Sequence, residues 1–180
     1  VGVMFGSQFN SNWSEILLMF NAQSFGTADP QFGIDNGFYV FVLPGLRLVM
    51  SAVSMLLLMG IVFSVVTHAM MGGIRFTMPV HGRGVLAVTK RARRQIGIWL
   101  ILNMLAWSAR QVIGVFTHLT QQGDRITGAA YTTVHATIPV TFIMAAITAM
   151  LGVFLGVWLM RSHALEGAAK PSVRAAAALK

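Results

Sequence analysis

From Leu48 to Ile74 the chain holds no Asp, Glu, Lys or Arg. A helix needs about 20 apolar residues to cross a bilayer, and this run supplies them without a charge. The rest of the chain agrees. Of 180 residues, 56% are hydrophobic and only 10% charged, and mean hydropathy is +0.70. A soluble domain carries about 25% charged residues. Too few remain here to solvate a globular surface, so the chain is read against bilayer dimensions.

That reading divides the sequence as follows. Residues 1–20 are apolar but interrupted by Asn10, Asn12 and Glu15, with Trp13 suited to a headgroup interface. They read as the end of a truncated transmembrane helix followed by an interfacial turn, or as a short amphipathic helix. Residues 21–37 form a polar loop with the turn dipeptides Asp29-Pro30 and Asn36-Gly37. Residues 38–71 contain the first complete span, with Pro44 near its start and Gly72-Gly73 as its stop. Residues 72–94 form a basic loop, 95–119 the second span and 120–137 a second polar loop. Residues 138–160 make the third span, opened by Pro139, and 161–180 a basic, alanine-rich tail. The expected fold class is all-α: a polytopic transmembrane helix bundle of three complete spans plus the truncated N-terminal helix. Val1 in place of Met, and the alanine-rich end, mark an internal piece of a longer chain.

The charges orient these spans. Loop 72–94 carries six Lys or Arg and no acid, and the tail carries four. Loop 21–37 carries none, and loop 120–137 only Arg125. Lys and Arg accumulate on the cytoplasmic side of membrane proteins. Loop 72–94 and the tail are therefore expected inside, and the other two loops outside. The net charge of +8 and pI of about 11.4 would suggest nucleic acid in a soluble protein. Here the charge is partitioned between loops rather than gathered on one face, and attraction to anionic inner-leaflet lipid accounts for it. The partners expected are the lipid bilayer and other transmembrane helices of the same full-length chain, with no nucleic acid. The oligomeric state is not legible. There is no cysteine, which excludes disulfides and thiolate metal sites.

Three blocks then carry a resemblance. The first outer loop and the helix after it read ADPQFGIDNGFYVFVLPGLRLVMS. The first complete helix ends in VTHAMMGGIRF, and the second outer loop reads ITGAAYTTVHATIP. In this order and spacing they resemble Uncharacterised Protein Family 182, large bacterial membrane proteins common in actinobacteria. The match is strong over residues 20–140 and extends beyond in hydropathy. The resemblance implies about seven spans in an N-terminal part, followed by a large extracytoplasmic region, with this chain inside the N-terminal part. It implies a bacterial plasma-membrane location and no particular activity.

Four residues stand out as a polar cluster near the outer face. A charge deep in a bilayer costs about 2.5–3.5 kcal/mol unless it pairs or snorkels. Arg47 and Arg110 both lie toward the outer ends of their spans, and Asp29 and Asp35 lead into Arg47. Pairing of Arg47 and Arg110 with Asp29 or Asp35 is one expectation; snorkelling of each arginine to headgroups is the other. Ala145, Ala149, Gly152 and Gly156 recur at steps of four, three and four, which puts small residues on one helix face. Such a face lets helix backbones approach. Gly60, Ser64, Thr67 and His68 form a second small and polar stripe, read as packing with an interfacial histidine, or as a proton-linked site.

Catalytic chemistry finds no foothold. His68, His81, His118, His135 and His163 are dispersed without metal spacing, and every acid lies outside the complete spans. No cofactor, metal or catalytic residue is expected. The reading that follows is a non-enzymatic membrane anchor or scaffold for the outer region. The alternative is a transporter or lipid-handling subunit that recognises an anionic headgroup through Arg47 and Arg110. A polar cavity reaching both arginines would favour the alternative; a tight seam along Ala145 to Gly156 would favour the anchor.

Overall fold

The computed structural model describes residues 2–77, 85–120 and 131–162. The tail beyond Ser162, and with it His81, Arg83, Asp124, Arg125, His163 and Glu166, lies outside the described residues. Helix α1 runs Gly2–Phe20, α2 Leu43–Met70, α3 Lys90–Thr117 and α4 Ile138–Arg161. A two-stranded ribbon, β1 (Ile74–Thr77) and β2 (Val85–Val88), joins α2 to α3. Among the described residues the fold is all-α apart from this ribbon. Counting the turns that precede α2 and α4, three helices among the described residues are long and apolar enough to cross a membrane: Phe38–Met70, Lys90–Thr117 and Thr133–Arg161.

Two of these spans begin with a π-turn, Phe38–Val42 before α2 and Thr133–Thr137 before α4. Each ends two residues before a proline, Pro44 and Pro139. A proline inside a helix has no N–H for the carbonyl four residues back, and its ring presses on that carbonyl. For Pro44 that carbonyl belongs to Val40, and for Pro139 to His135. Both sit in the middle of the π-turn, where the wider winding relieves the clash. The prolines therefore do not open their spans as the sequence suggests. The helices reach back across them, and the third span begins at Thr133 rather than at residue 138.

The stop of α2 is where the glycines place it. Gly72 adopts φ +71°, Gly73 N–H donates to the His68 carbonyl (2.6 Å) and Gly72 N–H to that of Ala69 (3.2 Å). This is a Schellman closure, and it needs a left-handed residue at Gly72. The basic segment 72–94 is not all loop. Ile74 pairs with Val88 and Thr77 with Val85 in an antiparallel ribbon. Lys90 to Arg94 already belong to α3, capped by Thr89, whose Oγ1 accepts from Ala92 N–H (3.4 Å). Arg93 is 1% exposed there.

The described residues fall into two compact units. The first takes those of 1–55 and 105–149, the second those of 56–104 and 150–180. Leu43, Leu48, Ala52, Ala106, Val115, Ile138 and Ala145 are buried in the first. Ser64, Ala87, Val88, Ala92 and Asn103 are buried in the second.

In the first unit, loop 21–37 is folded by its own aspartates. Asp29 Oδ2 accepts the N–H groups of Gln31 (3.1 Å) and Phe32 (2.8 Å), and Gly33 turns back at φ +68°. Asp29 N–H then donates to the Ile34 carbonyl (2.8 Å). Phe32 packs edge-on against Phe116 of α3 with ring centroids 5.2 Å apart, and Phe38 does the same at 5.7 Å. The loop is thereby pinned to the end of α3.

Candidate functional site

The first unit holds a cavity of about 380 Å³ between α1, α2 and α3. Each helix presents to it a pair of residues one turn apart: Asn12 and Glu15 from α1, Arg47 and Ser51 from α2, Arg110 and Gly114 from α3. Residues three or four apart share a helix face, so the pairs on α2 and α3 are a local consequence of helix formation. Pro44 and Leu48 complete the wall.

A close approach of α1 to α2 builds the cavity. A Cβ on Gly45 would stand 2.9 Å from Met19 Cβ and 3.0 Å from the Glu15 carbonyl oxygen. Only glycine leaves room there, and the contact sets Glu15 beside the first turns of α2. Asn12 breaks the helical path of α1 (φ −121°, ψ 19°), which re-aims the helix one turn before Glu15. Trp13, beside them, is 59% exposed.

The expected cluster is only partly assembled. The structure brings Arg47 and Arg110 to one cavity, and both are exposed to it. Asp29 and Asp35 are not among its lining residues, because their carboxylates are committed to the loop. Asp35 accepts from the Ser24 hydroxyl (2.5 Å) and from the N–H groups of Phe25 (3.0 Å), Gly26 (2.9 Å) and Gly37 (2.6 Å). The Ser24 hydroxyl, followed by the Phe25 and Gly37 amides, holds its pKa down to about 2. Asp29 also accepts from the Tyr39 hydroxyl (3.4 Å). The acidic residue that shares the cavity wall with the two arginines is Glu15. Among the described residues, neither arginine forms an ion pair.

Glu15, Asn12 and Ser51 were not singled out as site residues. Their signal was the same one-turn pairing that marks Arg47 with Ser51. It was obscured because α1 carries too few apolar residues to be read as a full partner of α2.

The small residues of α4 divide between the two units. In the first, Ala145 is 2% exposed, and its carbonyl accepts from the Ser108 hydroxyl of α3 (2.7 Å). Gln111 Nε2 donates to Thr148 Oγ1 (3.1 Å) one turn on, and Ala149 is half-buried. In the second, Gly152 is covered by the Met104 side chain. A Cβ on Gly156 would stand 2.9 Å from the Gly97 carbonyl oxygen, and one on Gly97 the same distance from that of Gly156. In the other stripe, Gly60 lies under the Trp99 ring, Ser64 is buried, and His68 Nε2 meets Gln95 Oε1 at 3.0 Å. Thr67 is exposed.

The sequence profile described as "Uncharacterised protein family (UPF0182)" matches residues 1–179. The chain belongs to that family. It is 76% identical over 180 residues to UPF0182 proteins of Bifidobacterium adolescentis and Bifidobacterium longum, covering all of this chain and 17% of each relative. A UPF0182 protein of Corynebacterium diphtheriae is 33% identical over 154 residues, 85% of this chain and 15% of that protein. The chain thus spans about a sixth of the length of the curated relatives it matches. No solved structure matches it.

Proposed function

We propose that this segment is a membrane-embedded anchor module of a longer cell-envelope protein, and that its own part is structural rather than enzymatic. The observation that carries the reading is the way its helices meet. Each of the three spans is long and apolar enough for a bilayer. In the second unit, α3 and α4 approach at paired glycines, Gly97 and Gly156. In the first, they are joined by hydroxyl and amide hydrogen bonds at Ser108 and Gln111. Inside lipid the hydrophobic drive between helices is missing, and close backbone contact with hydrogen bonding takes its place.

In this proposal the membrane is the bacterial plasma membrane. The ribbon Ile74–Val88 and the start of α3 face the cytoplasm, and loop 21–37 faces out. The unequal Lys and Arg counts support that direction. The native segment has no cysteine, so orientation can be read with single cysteines in a full-length protein freed of others. Gln31→Cys should react with an impermeant maleimide on intact cells. Arg91→Cys should react only after permeabilisation. The reverse pattern would refute the orientation, and recovery of both variants in the soluble fraction would refute the anchor.

A lipid-handling role is the second reading, and one observation favours it. The cavity that holds Arg47 and Arg110 together has a volume within the range of small-ligand sites, about 300–1,000 Å³.

A further inference from the structure

We infer that the cavity between α1, α2 and α3 is a binding site for a phosphodiester group, with Arg47 and Arg110 as its donors and Glu15 as the residue that limits its charge.

The charges come first. Two arginines and one glutamate line the same space of about 380 Å³. Two positive charges and one negative leave a net charge of +1. A phosphodiester carries one negative charge, so it balances the site; a phosphate dianion exceeds it. Guanidinium is also the group whose planar fork fits paired phosphate oxygens. Asp29 and Asp35, the nearest alternatives in sequence for neutralising Arg47, are held by loop amides and hydroxyls. Among the described residues, both arginines therefore keep their donors for something that enters the cavity.

Depth comes second, and it rests on the membrane placement proposed above. The span Phe38–Met70 has 33 residues, or about 50 Å at 1.5 Å per residue. Its centre is near Ser54, and Arg47 stands about 10 Å from that centre. The span Lys90–Thr117 has 28 residues, and Arg110 also stands about 10 Å from its middle. The hydrocarbon core is about 30 Å thick. Both arginines thus lie about 5 Å inside the same boundary, within reach of the lipid phosphate level for so long a side chain. The exposed indole of Trp13, next to Asn12 and Glu15 on α1, suits that interfacial depth.

A phosphodiester at this depth can come from a lipid head, and a phosphate group can also enter from water. Native mass spectrometry of the detergent-solubilised full-length protein separates these sources. The probes are phosphatidylglycerol, a neutral diacylglycerol of the same chains, and inorganic phosphate. Wild type should retain phosphatidylglycerol at least about tenfold better than diacylglycerol, and millimolar phosphate should not displace it. Arg47→Gln/Arg110→Gln should lose that preference. Arg91→Gln/Arg94→Gln, which removes as much charge elsewhere, should keep it. Glu15→Gln should raise retention several-fold, a gain that misfolding does not produce. Binding of phosphate alone, lost in Arg47→Gln/Arg110→Gln, would overturn the phosphodiester assignment in favour of a soluble phosphate compound. Retention unchanged in that double variant, or lost equally in Arg91→Gln/Arg94→Gln, overturns the site. The phosphate arm needs no bilayer, so its outcome stands apart from that of the anchor proposal.

Discussion

At the scale of single residues, Asp35 shows how hydrogen bonds alone lower the pKa of a carboxylate. Asp35 is solvent-facing, yet four donors converge on it: the Ser24 hydroxyl and the amides of Phe25, Gly26 and Gly37. Hydrogen bonds to the charged form favour that form, and the Ser24 hydroxyl is the largest influence on a pKa lowered to about 2 from an ordinary 3.8. The sign follows from linkage. A depressed folded pKa contributes stability that is fully present above pH 3.8 and is lost as pH falls through about 2. Loop 21–37 should therefore keep its shape through mildly acid conditions. Carboxyl-selective NMR should place the Asp35 midpoint near 2. In Asp35→Asn, amide exchange at Phe25, Gly26 and Gly37 should speed up at neutral pH. A midpoint near 3.8 would mean the donors do not hold the carboxylate in solution. The sequence offered Asp35 as one candidate partner for Arg47 and Arg110; in the structure its carboxylate accepts from Ser24, Phe25, Gly26 and Gly37. Turn dipeptides show that a loop exists, whereas the convergence of Ser24 and Asp35 depends on how that loop closes.

Elements differ in how far local pattern determines them. The end of α2 was legible because a left-handed residue after a long apolar helix almost demands glycine, and Gly72 is there. The starts of the spans were less so. A proline reads as a boundary, yet a π-turn carries the helix through Pro44 and Pro139. The ribbon was hidden because segment 72–94 was read by its charge, six Lys or Arg and no acid, while strands need only the short runs Ile74–Thr77 and Val85–Val88. The α4 stripe was visible from spacing alone, but its partners were not. Those depend on which face α3 turns toward it. The contact at Gly156 makes a sharp prediction. Any side chain there meets Ile101 and the Gly97 carbonyl, so Gly156→Val should destabilise by about 1–3 kcal/mol through overpacking. Gly114 has nothing within 4 Å of its Cβ position. Gly114→Ala should be neutral, or stabilising by up to about 1 kcal/mol. Thermal unfolding of the two variants in detergent checks the contrast. Similar losses in both would show that the Gly97–Gly156 approach is not a tight one.

For the molecule as a whole, the governing quantity is the length of each span against the bilayer. Buried residues make up only 11–17% of the apolar windows of the three spans. In the anchor proposal the remaining positions are open to lipid, and depth in the bilayer is set by length and interfacial anchors. The span Phe38–Met70 is about 20 Å longer than the hydrocarbon core. Centred, it leaves Val40 about 6 Å and Met70 about 9 Å outside the core on opposite sides, with Leu56 close to the midplane. All three side chains are exposed, at 52%, 84% and 57%, so each can carry a nitroxide through a single cysteine. Leu56→Cys should show high accessibility to oxygen and low accessibility to a polar nickel reagent. Val40→Cys and Met70→Cys should show the opposite. The profile also decides the depth of Arg47, seven residues from the centre on the Val40 side. If Val40→Cys proved as oxygen-rich as Leu56→Cys, the span would be shifted toward the Met70 end. Arg47 would then lie nearer the midplane than a lipid phosphate can follow, and the cavity would have to draw its anion from elsewhere.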